Sequence, residues 1–340
     1  MRKLLNTLYI TTPESYLSKD GMIVVVSVKQ LEIFRIPIIN IEAIVTFGYI
    51  GASPGIMKLC ADNNVSLTFL SPSGTFVSRI VGKTKGNVLL RKSQYLCADN
   101  DNFTLRNSQN IKAAKIKNYR YILRRFIRDN GENDFVEKVA LELDAHKRQV
   151  FKCSCKQDLL GIEGISANQY FSGFPNIIIQ QKESFPFHGR NRRPPKDAVN
   201  AMLSLAYTLI ANDITSALET VGLDPYVGFM HTLRPGRPSL SLDLMEELRA
   251  YMGDRFVLSL INRKQITASD FMYQGEEGVI LTDNGRKIFL SAWQNRKKEE
   301  IVHPYLGEKI PIGLIPYAQA MLLARYIRND IDDYPVFLIR

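Results

Sequence analysis

The sequence predicts an α+β fold in which a small, mostly β N-terminal domain at residues 1–82 precedes a larger helical domain at residues 83–340. Three observations support this prediction. In the first 80 residues, β-branched and aromatic residues form short runs separated by turn residues. After a basic, glycine-bounded connector at residues 82–86, the apolar residues recur with the period of a helix. The 340 residues also exceed the usual size of one hydrophobic core, so two domains are expected.

The N-terminal domain is predicted to contain several short strands and one helix. Ser53 and Pro54 are typical of a helix start, as N-cap and first-turn proline, and apolar residues follow at helical spacing. The predicted strands cover residues 7–11, 22–28, 31–36, 41–47, 66–69 and 76–80.

The larger domain is predicted to be helical because apolar residues recur every three or four positions through most of it. The clearest predicted helices cover residues 107–130, 197–218 and 316–328, and a short hairpin is expected at residues 273–278.

Two basic segments are candidates for DNA contact. The helix at residues 107–130 has a basic side that includes Lys112, Lys115 and Arg124, with little acid to balance it. A solvated face usually mixes charge signs, so a face that follows DNA phosphates is favoured over that alternative. The second segment is a proline-containing loop whose basic residues are Arg190, Arg192 and Arg193.

The overall charge favours a nucleic-acid partner, because 44 Lys and Arg stand against 34 Asp and Glu and the sequence pI is about 9.3. The N-terminus lacks the apolar run of a signal peptide, and no segment is predicted to span a membrane. Four cysteines are too few for a disulfide framework. A cytoplasmic protein with reduced thiols and no membrane partner is therefore expected.

The window at residues 222–249 contains the most informative side chains. Ser241 is predicted to cap a helix on which Asp243, Glu246 and Glu247 share one side. A well-capped surface helix would have the same acids, since the helix dipole favours them in the first turn. His231 favours a functional site instead. It is followed by a turn that would bring it back toward the acidic helix, and that turn contains the basic residues Arg234 and Arg237.

Glu163 is a further candidate because it lies among apolar residues, where a carboxylate is usually paired or bound to metal. Carboxylates with one imidazole suit octahedral Mg²⁺ or Mn²⁺ better than zinc. In a basic protein, such a site predicts metal-dependent phosphodiester chemistry, either hydrolysis or strand transfer.

Long motifs extend these observations nearly from end to end of the chain. They include residues 5–9, 86–91, 161–164, 189–195, 197–204 and 231–249. Through them the sequence closely resembles the CRISPR-associated endonuclease and integrase of the spacer-acquisition (adaptation) module. The arrangement is most similar to the type I-C group.

The resemblance implies an N-terminal β-sandwich that forms most of a homodimer contact, and a helical catalytic domain. It implies Glu163, His231 and Glu246 as metal ligands, Asp243 as a nearby acidic residue of variable role, and Tyr170 at the DNA. The implied partners are double-stranded DNA, as prespacer and CRISPR repeat, and a small ferredoxin-like protein of the same module.

In the implied reaction, 3′-hydroxyl ends of the prespacer attack the repeat. Two alternatives stay open: a branched-DNA repair nuclease, and a DNA-binding protein without catalysis.

Overall fold

The computed structural model of the chain describes residues 6–48, 50–82, 88–191 and 194–339. Its N-terminal part is rich in strands, as predicted. In chain order the elements are β1 (Thr7–Ile10), β2 (Ser15–Asp20), β3 (Ile23–Val28), β4 (Leu31–Pro37), β5 (Ala43–Phe47), β6 (Gly51–Ala52), α1 (Pro54–Asp62), β7 (Ser66–Leu70) and β8 (Phe76–Ile80).

In the described residues these strands form two four-stranded sheets, ordered β1-β5-β7-β8 and β4-β3-β2-β6. Strands β1, β5 and β7 pair in parallel, whereas β2, β3 and β4 pair antiparallel. Leu17 and Val24 of the second sheet are fully buried against Ile44 and Leu67 of the first. Because the two inner faces share one core, this part of the chain is a sandwich, with α1 packed at its side.

The first sheet is also buried on its other face. Val45, Phe47 and Leu70 point away from the sandwich and join the larger core formed by the helices. Strand β2 was missing from the sequence prediction because it buries only Ser15 and Leu17 and ends in charged residues, so its alternating pattern is weak. The predicted helix cap is confirmed, since the Ser53 hydroxyl accepts a hydrogen bond from the backbone of Ile56.

The rest of the described chain is mainly helical, as predicted, with short strands near its end. A π-helical turn, Arg249–Asp254, joins α7 directly to α8. The elements are α2 (Val88–Ala98), α3 (Asp101–Asn130), α4 (Asp134–Val150), α5 (Lys156–Gly173), α6 (Ala198–Val221), α7 (Ser239–Leu248), α8 (Arg255–Asn262), β9 (Phe271–Tyr273), β10 (Val279–Leu281), α9 (Asp283–Lys298), β11 (Glu300–Val302), β12 (Lys309–Pro311) and α10 (Ile315–Ile327).

The strands in this part form two antiparallel pairs in the described residues, β9 with β10 and β11 with β12. The expected hairpin at residues 273–278 is the first of these. The second was not predicted, so the larger part of the fold is helical with small sheets rather than wholly helical. The predicted domain boundary adjoins residues 83–87, which lie outside the described residues.

The packing of α3 against α5 and α7 determines where the site forms. Helix α3, which extends over 30 residues, packs against α4, α5 and α7, and α6 packs against α7 and α10. By length and composition alone, α6 could cross a membrane, with a mean hydropathy of 1.2, although 61% of its apolar window is buried inside the protein. Its apolar residues therefore have a place in the protein core.

Candidate active site

Asp243 of α7 holds the loop that contains His231. The carboxylate Oδ2 accepts hydrogen bonds from the backbone N–H groups of Phe229 and Met230, at 2.7 and 3.0 Å. Its Oδ1 accepts from the backbone N–H of His231 at 3.0 Å and lies 2.6 Å from the Nδ1 of the same residue. Gly228 lets the loop approach this closely, because a Cβ there would lie 2.6 Å from Asp243 Oδ2.

This arrangement determines the orientation of the imidazole. A carboxylate beside Nδ1 favours the tautomer with its proton on Nδ1, which leaves the lone pair of Nε2 available. Nε2 of His231 lies 3.9 Å from Oε1 of Glu246. The imidazole therefore presents a ligand atom toward Glu246, while both oxygens of Asp243 are engaged by the loop.

Helix α2 supports the start of the same loop. The side-chain amide of Gln94 is buried and donates to the carbonyl oxygens of Asp224 and Val227, each at 2.8 Å. Its carbonyl oxygen accepts from the backbone N–H of Asp224 at 2.9 Å. Sequence reasoning gave Gln94 no role.

Glu163 and Glu246 face each other across a lysine. The Lys115 ammonium lies 2.5 Å from Glu163 Oε1 and 2.6 Å from Glu246 Oε2. Lys112 is ion-paired with Glu163, and Arg249 lies 3.2 Å from Glu246 Oε1. Helices α3, α5 and α7, together with Arg249 of the π-helical turn, thus bring two carboxylates and three cations into one largely buried cluster, with His231 at its edge.

The cations keep both carboxylates ionised despite their burial. Burial alone would raise the pKa of Glu246, but Arg249, Lys115 and Lys112 outweigh it and hold that pKa well below its usual range. Burial also opposes ionisation of Glu163, whose pKa is lowered because the two lysines outweigh it. For Lys112, desolvation is the stronger effect and lowers its pKa.

Of the three predicted ligands, Glu163 and Glu246 both contact Lys115, and the Nε2 of His231 lies 3.9 Å from Glu246. Two carboxylates and one imidazole nitrogen are donors that a hard divalent cation accepts. Among the described residues, however, no three His, Cys, Asp or Glu side chains form a ready-made metal cluster. The Lys115 ammonium lies between the two carboxylates and bridges them.

Glu247 was expected on the same acidic side but faces away from the cluster. It accepts hydrogen bonds from the backbone N–H of Phe337, from the Tyr334 hydroxyl at 2.5 Å and from the Gln319 amide at 3.0 Å. Burial raises its pKa to about 7. Its role is to anchor the chain that follows α10. The expected cap Ser241 lies inside α7, which begins at Ser239.

The expectation that Tyr170 borders DNA is wrong. The side chain is fully buried, and its ring stacks on Tyr119 with the centroids 3.8 Å apart and an interplanar angle of 8°. The Tyr170 hydroxyl is close enough to Asp254 to stabilise its charged form. Tyr170 lies on the same face of α5 as Glu163, as their spacing in the sequence predicts, but neighbouring helices cover that part of the face.

The prediction that α3 contacts DNA through Lys112 and Lys115 is also wrong. Lys112 and Lys115 are buried and engaged with the site carboxylates, so neither is available to a phosphate. Arg124 is ion-paired at 2.7 Å with Glu137. Acids from α4, α5 and α7 therefore supply the counter-charges that α3 itself lacks.

Of the three loop arginines predicted to contact DNA, the structure describes Arg190. Arg190 donates to Asn200 Oδ1 at 2.7 Å and to Ser204 Oγ at 3.0 Å, and its guanidinium lies over the Tyr207 ring. It therefore fastens the loop to α6. Arg192 and Arg193 lie outside the described residues.

A large cleft of about 1520 Å³ opens beside His231. Arg234 and Arg237 lie at its wall and, among the described residues, neither has an acidic partner. Arg249 also lines it and was missed by sequence reasoning, although its position three residues after Glu246 is a signal for an ion pair along one helix face. The cleft is a basic approach to the cluster.

Comparison with known proteins gives a consistent result. The family model described as "CRISPR associated protein Cas1" matches residues 8–295. A protein of Chlorobaculum tepidum named CRISPR-associated endonuclease Cas1 1 is 47% identical over 100% of both chains. A protein of Rhodospirillum rubrum named CRISPR-associated endonuclease Cas1 2 is 44% identical over 98% of both.

Solved structures support the fold. A casposase bound to integration product superposes with a TM-score of 0.85 at 20% identity, over 96% of this chain and 92% of the other. A chain of a Cas6-RT-Cas1–Cas2 complex gives a TM-score of 0.84 at 20% identity, over 98% of this chain and 36% of that longer one.

Proposed function

This chain belongs to the CRISPR-associated Cas1 family, and from that premise we propose that it is a metal-dependent DNA endonuclease and integrase. It inserts short double-stranded DNA into a CRISPR array by attack of a 3′-hydroxyl on the repeat. The observation that carries the proposal is that Glu163 and Glu246 converge on Lys115, with the Nε2 of His231 facing Glu246 at the edge of a basic cleft. The full-length relatives named as endonucleases support the same activity.

Glu163, His231 and Glu246 would hold the cation, Mg²⁺ or Mn²⁺. The donor set fits such an ion, because the two carboxylates converge on one cation already and the free Nε2 of His231 faces one of them. A bound divalent ion would supply Lewis-acid polarisation of the scissile phosphodiester. Asp243 keeps the imidazole in the ligating tautomer and acts through His231.

The cleft supplies the DNA contacts. Arg234 and Arg237 lie beside His231 and have no competing acid among the described residues, so their charge is available to phosphate oxygens. Such contacts position the DNA backbone but carry no sequence information. They would align the DNA end and the repeat strand with the cluster. Lys112 and Lys115, which are buried in the cluster, would not contact the DNA directly.

We also propose an assembly, on the ground of family membership. We assign residues 1–82 to homodimerisation and residues 83–340 to catalysis, with the small ferredoxin-like protein as partner, a type I-C-like array as context and the cytoplasm as location. Exposed apolar side chains on the edge strand β4, namely Leu31, Ile33 and Phe34, support a contact through the N-terminal part. The structural neighbour from a Cas6-RT-Cas1–Cas2 complex supports the partner.

A plasmid-joining assay tests the proposal. Glu163→Ala, His231→Ala and Glu246→Ala should each abolish Mg²⁺- or Mn²⁺-dependent joining of a labelled duplex to supercoiled plasmid, while DNA binding persists. The control is Asp283→Asn, which neutralises a carboxylate that is 70% exposed at the start of α9 and should leave joining intact.

Three outcomes separate the proposal from its alternatives. Joining at the wild-type rate in the three ligand variants contradicts the assignment. Cleavage of branched DNA without any joining by the wild type identifies a repair nuclease instead. DNA binding with neither cleavage nor joining identifies a non-catalytic protein.

A further inference from the structure

Lys115 occupies an unusual position for a lysine. It lies in the middle of α3, is only 2% exposed, and its ammonium contacts one carboxylate from α5 and one from α7. The Tyr119 ring covers it from a centroid distance of 5.7 Å. A charge this deeply buried is stable only when its partners are well placed. Lys115 therefore depends on Glu163 and Glu246.

Neither carboxylate needs Lys115 for its own neutralisation. Glu163 also contacts Lys112, and Glu246 also contacts Arg249. What Lys115 alone provides, among the cations described in the cluster, is the bridge between the two carboxylates. That bridge lies between the oxygens that the proposed metal ion would bind.

The charges of the cluster make this position significant. Two carboxylates, Glu163 and Glu246, face three cations, Lys112, Lys115 and Arg249, so the group already carries an excess positive charge. Adding a divalent cation raises that excess further, and like charges at contact distance in a dry site repel strongly. Binding of the metal is easier if one ammonium leaves or if DNA phosphates supply negative charge.

We propose that Lys115 is a resident counter-cation: its ammonium holds Glu163 and Glu246 facing each other, and a divalent ion binds by displacing it from between them. The inference rests on the proposed function, because it takes these residues as metal ligands. It makes Lys115 a positioning residue that sets the affinity for metal. Metal binding then becomes a cation exchange that DNA phosphates favour.

The test is Mn²⁺ binding by the full-length protein without DNA, measured by calorimetry. In Lys115→Met the side chain keeps its length and loses its charge. Mn²⁺ should bind at least about tenfold more tightly than to the wild type, because one unit of repulsion at contact distance is removed. A lysine with a purely structural role predicts the opposite sign, since disturbing the carboxylates weakens the site.

Lys297→Met is the matched control. Lys297 is also buried and ion-paired, at 2.9 Å from Asp213, but it lies away from the cluster. Both variants should melt at lower temperature without metal. Mn²⁺ should raise the melting temperature of Lys115→Met by more than that of the wild type, and should give Lys297→Met no such extra gain.

A second variant keeps the inference testable if Lys115→Met does not fold. Lys112→Met removes a cation that contacts Glu163 and does not bridge the two carboxylates, and it should tighten Mn²⁺ binding in the same direction by a smaller factor, about threefold. Unchanged or weaker Mn²⁺ binding in the lysine variants overturns the role of Lys115 and leaves the metal site standing. No Mn²⁺ binding by the wild type or any variant overturns the metal site, and this inference with it.

Discussion

Asp243→Asn is a minimal change at the carboxylate that holds the His231 loop. It keeps the shape of the side chain and replaces one oxygen with an N–H₂ group. In the wild type, Oδ2 receives two backbone N–H groups, from Phe229 and Met230, and Oδ1 receives the backbone N–H of His231 and faces its Nδ1. The asparagine amide therefore opposes hydrogen-bond donors in either orientation.

The hydrogen bonds determine the size of the effect. With the amide nitrogen at the Oδ2 position, two bonds to a charged acceptor are lost, and each contributes about 1.5–3 kcal/mol. Relief from burying a charge offsets part of this loss, so we expect the free energy of unfolding to fall by about 3 kcal/mol. With the amide reversed, Nδ1 of His231 must accept instead of donate. Its proton moves to Nε2, and the lone pair facing Glu246 is lost.

Urea unfolding and Mn²⁺ titration together measure both consequences. We expect Asp243→Asn to lower the free energy of unfolding, to weaken Mn²⁺ binding, or to do both. Asp270→Asn is the control, because Asp270 is a buried aspartate that accepts the Thr267 backbone N–H in a loop away from the site. Wild-type stability together with wild-type Mn²⁺ affinity in Asp243→Asn would refute the reasoning.

The remaining predictions concern a buried acid and the cleft. Burial raises the pKa of Asp254 from 3.8 to about 6, so the folded protein binds a proton that the unfolded chain has released, and stability falls as pH rises from about 4 to 6. The free energy of unfolding of Asp254→Asn, measured in urea and taken relative to that of the wild type, should therefore rise by about 3 kcal/mol between pH 4 and pH 7. A difference between the two proteins that does not change with pH would contradict this. Arg234→Ala should weaken DNA binding and reduce the slope of log affinity against log salt by about one, whereas Arg124→Ala, whose guanidinium is paired with Glu137, should leave that slope unchanged.

Much of the fold could be predicted because its hydrophobic periods are local signals. The strands of the N-terminal part and the long helices α3 and α6 follow from apolar spacing within each segment. Strand β2 and helix α2 have weaker patterns, because much of each faces solvent and few of their side chains are buried.

The site was harder to predict because a helical period gives the direction of a side chain but not what lies opposite it. Glu246 and Glu247 are equivalent by spacing, yet one meets Lys115 and the other meets residues of the C-terminal tail. Lys112 and Lys115 looked like a basic surface because their partners, above all Glu163, are distant in sequence. Long-range packing decided each of these cases.

Helix α7 places contacts on all its sides, and every one of its residues is buried or half-buried. Substitutions along the whole helix should therefore be poorly tolerated, whether or not a residue touches DNA or metal. In a mutational scan, Glu247 and Leu248 would score as severely as Glu246, for reasons of folding alone. Intolerance to substitution in this stretch is consequently a poor guide to chemistry, and only assays that separate protein abundance from activity can distinguish the two.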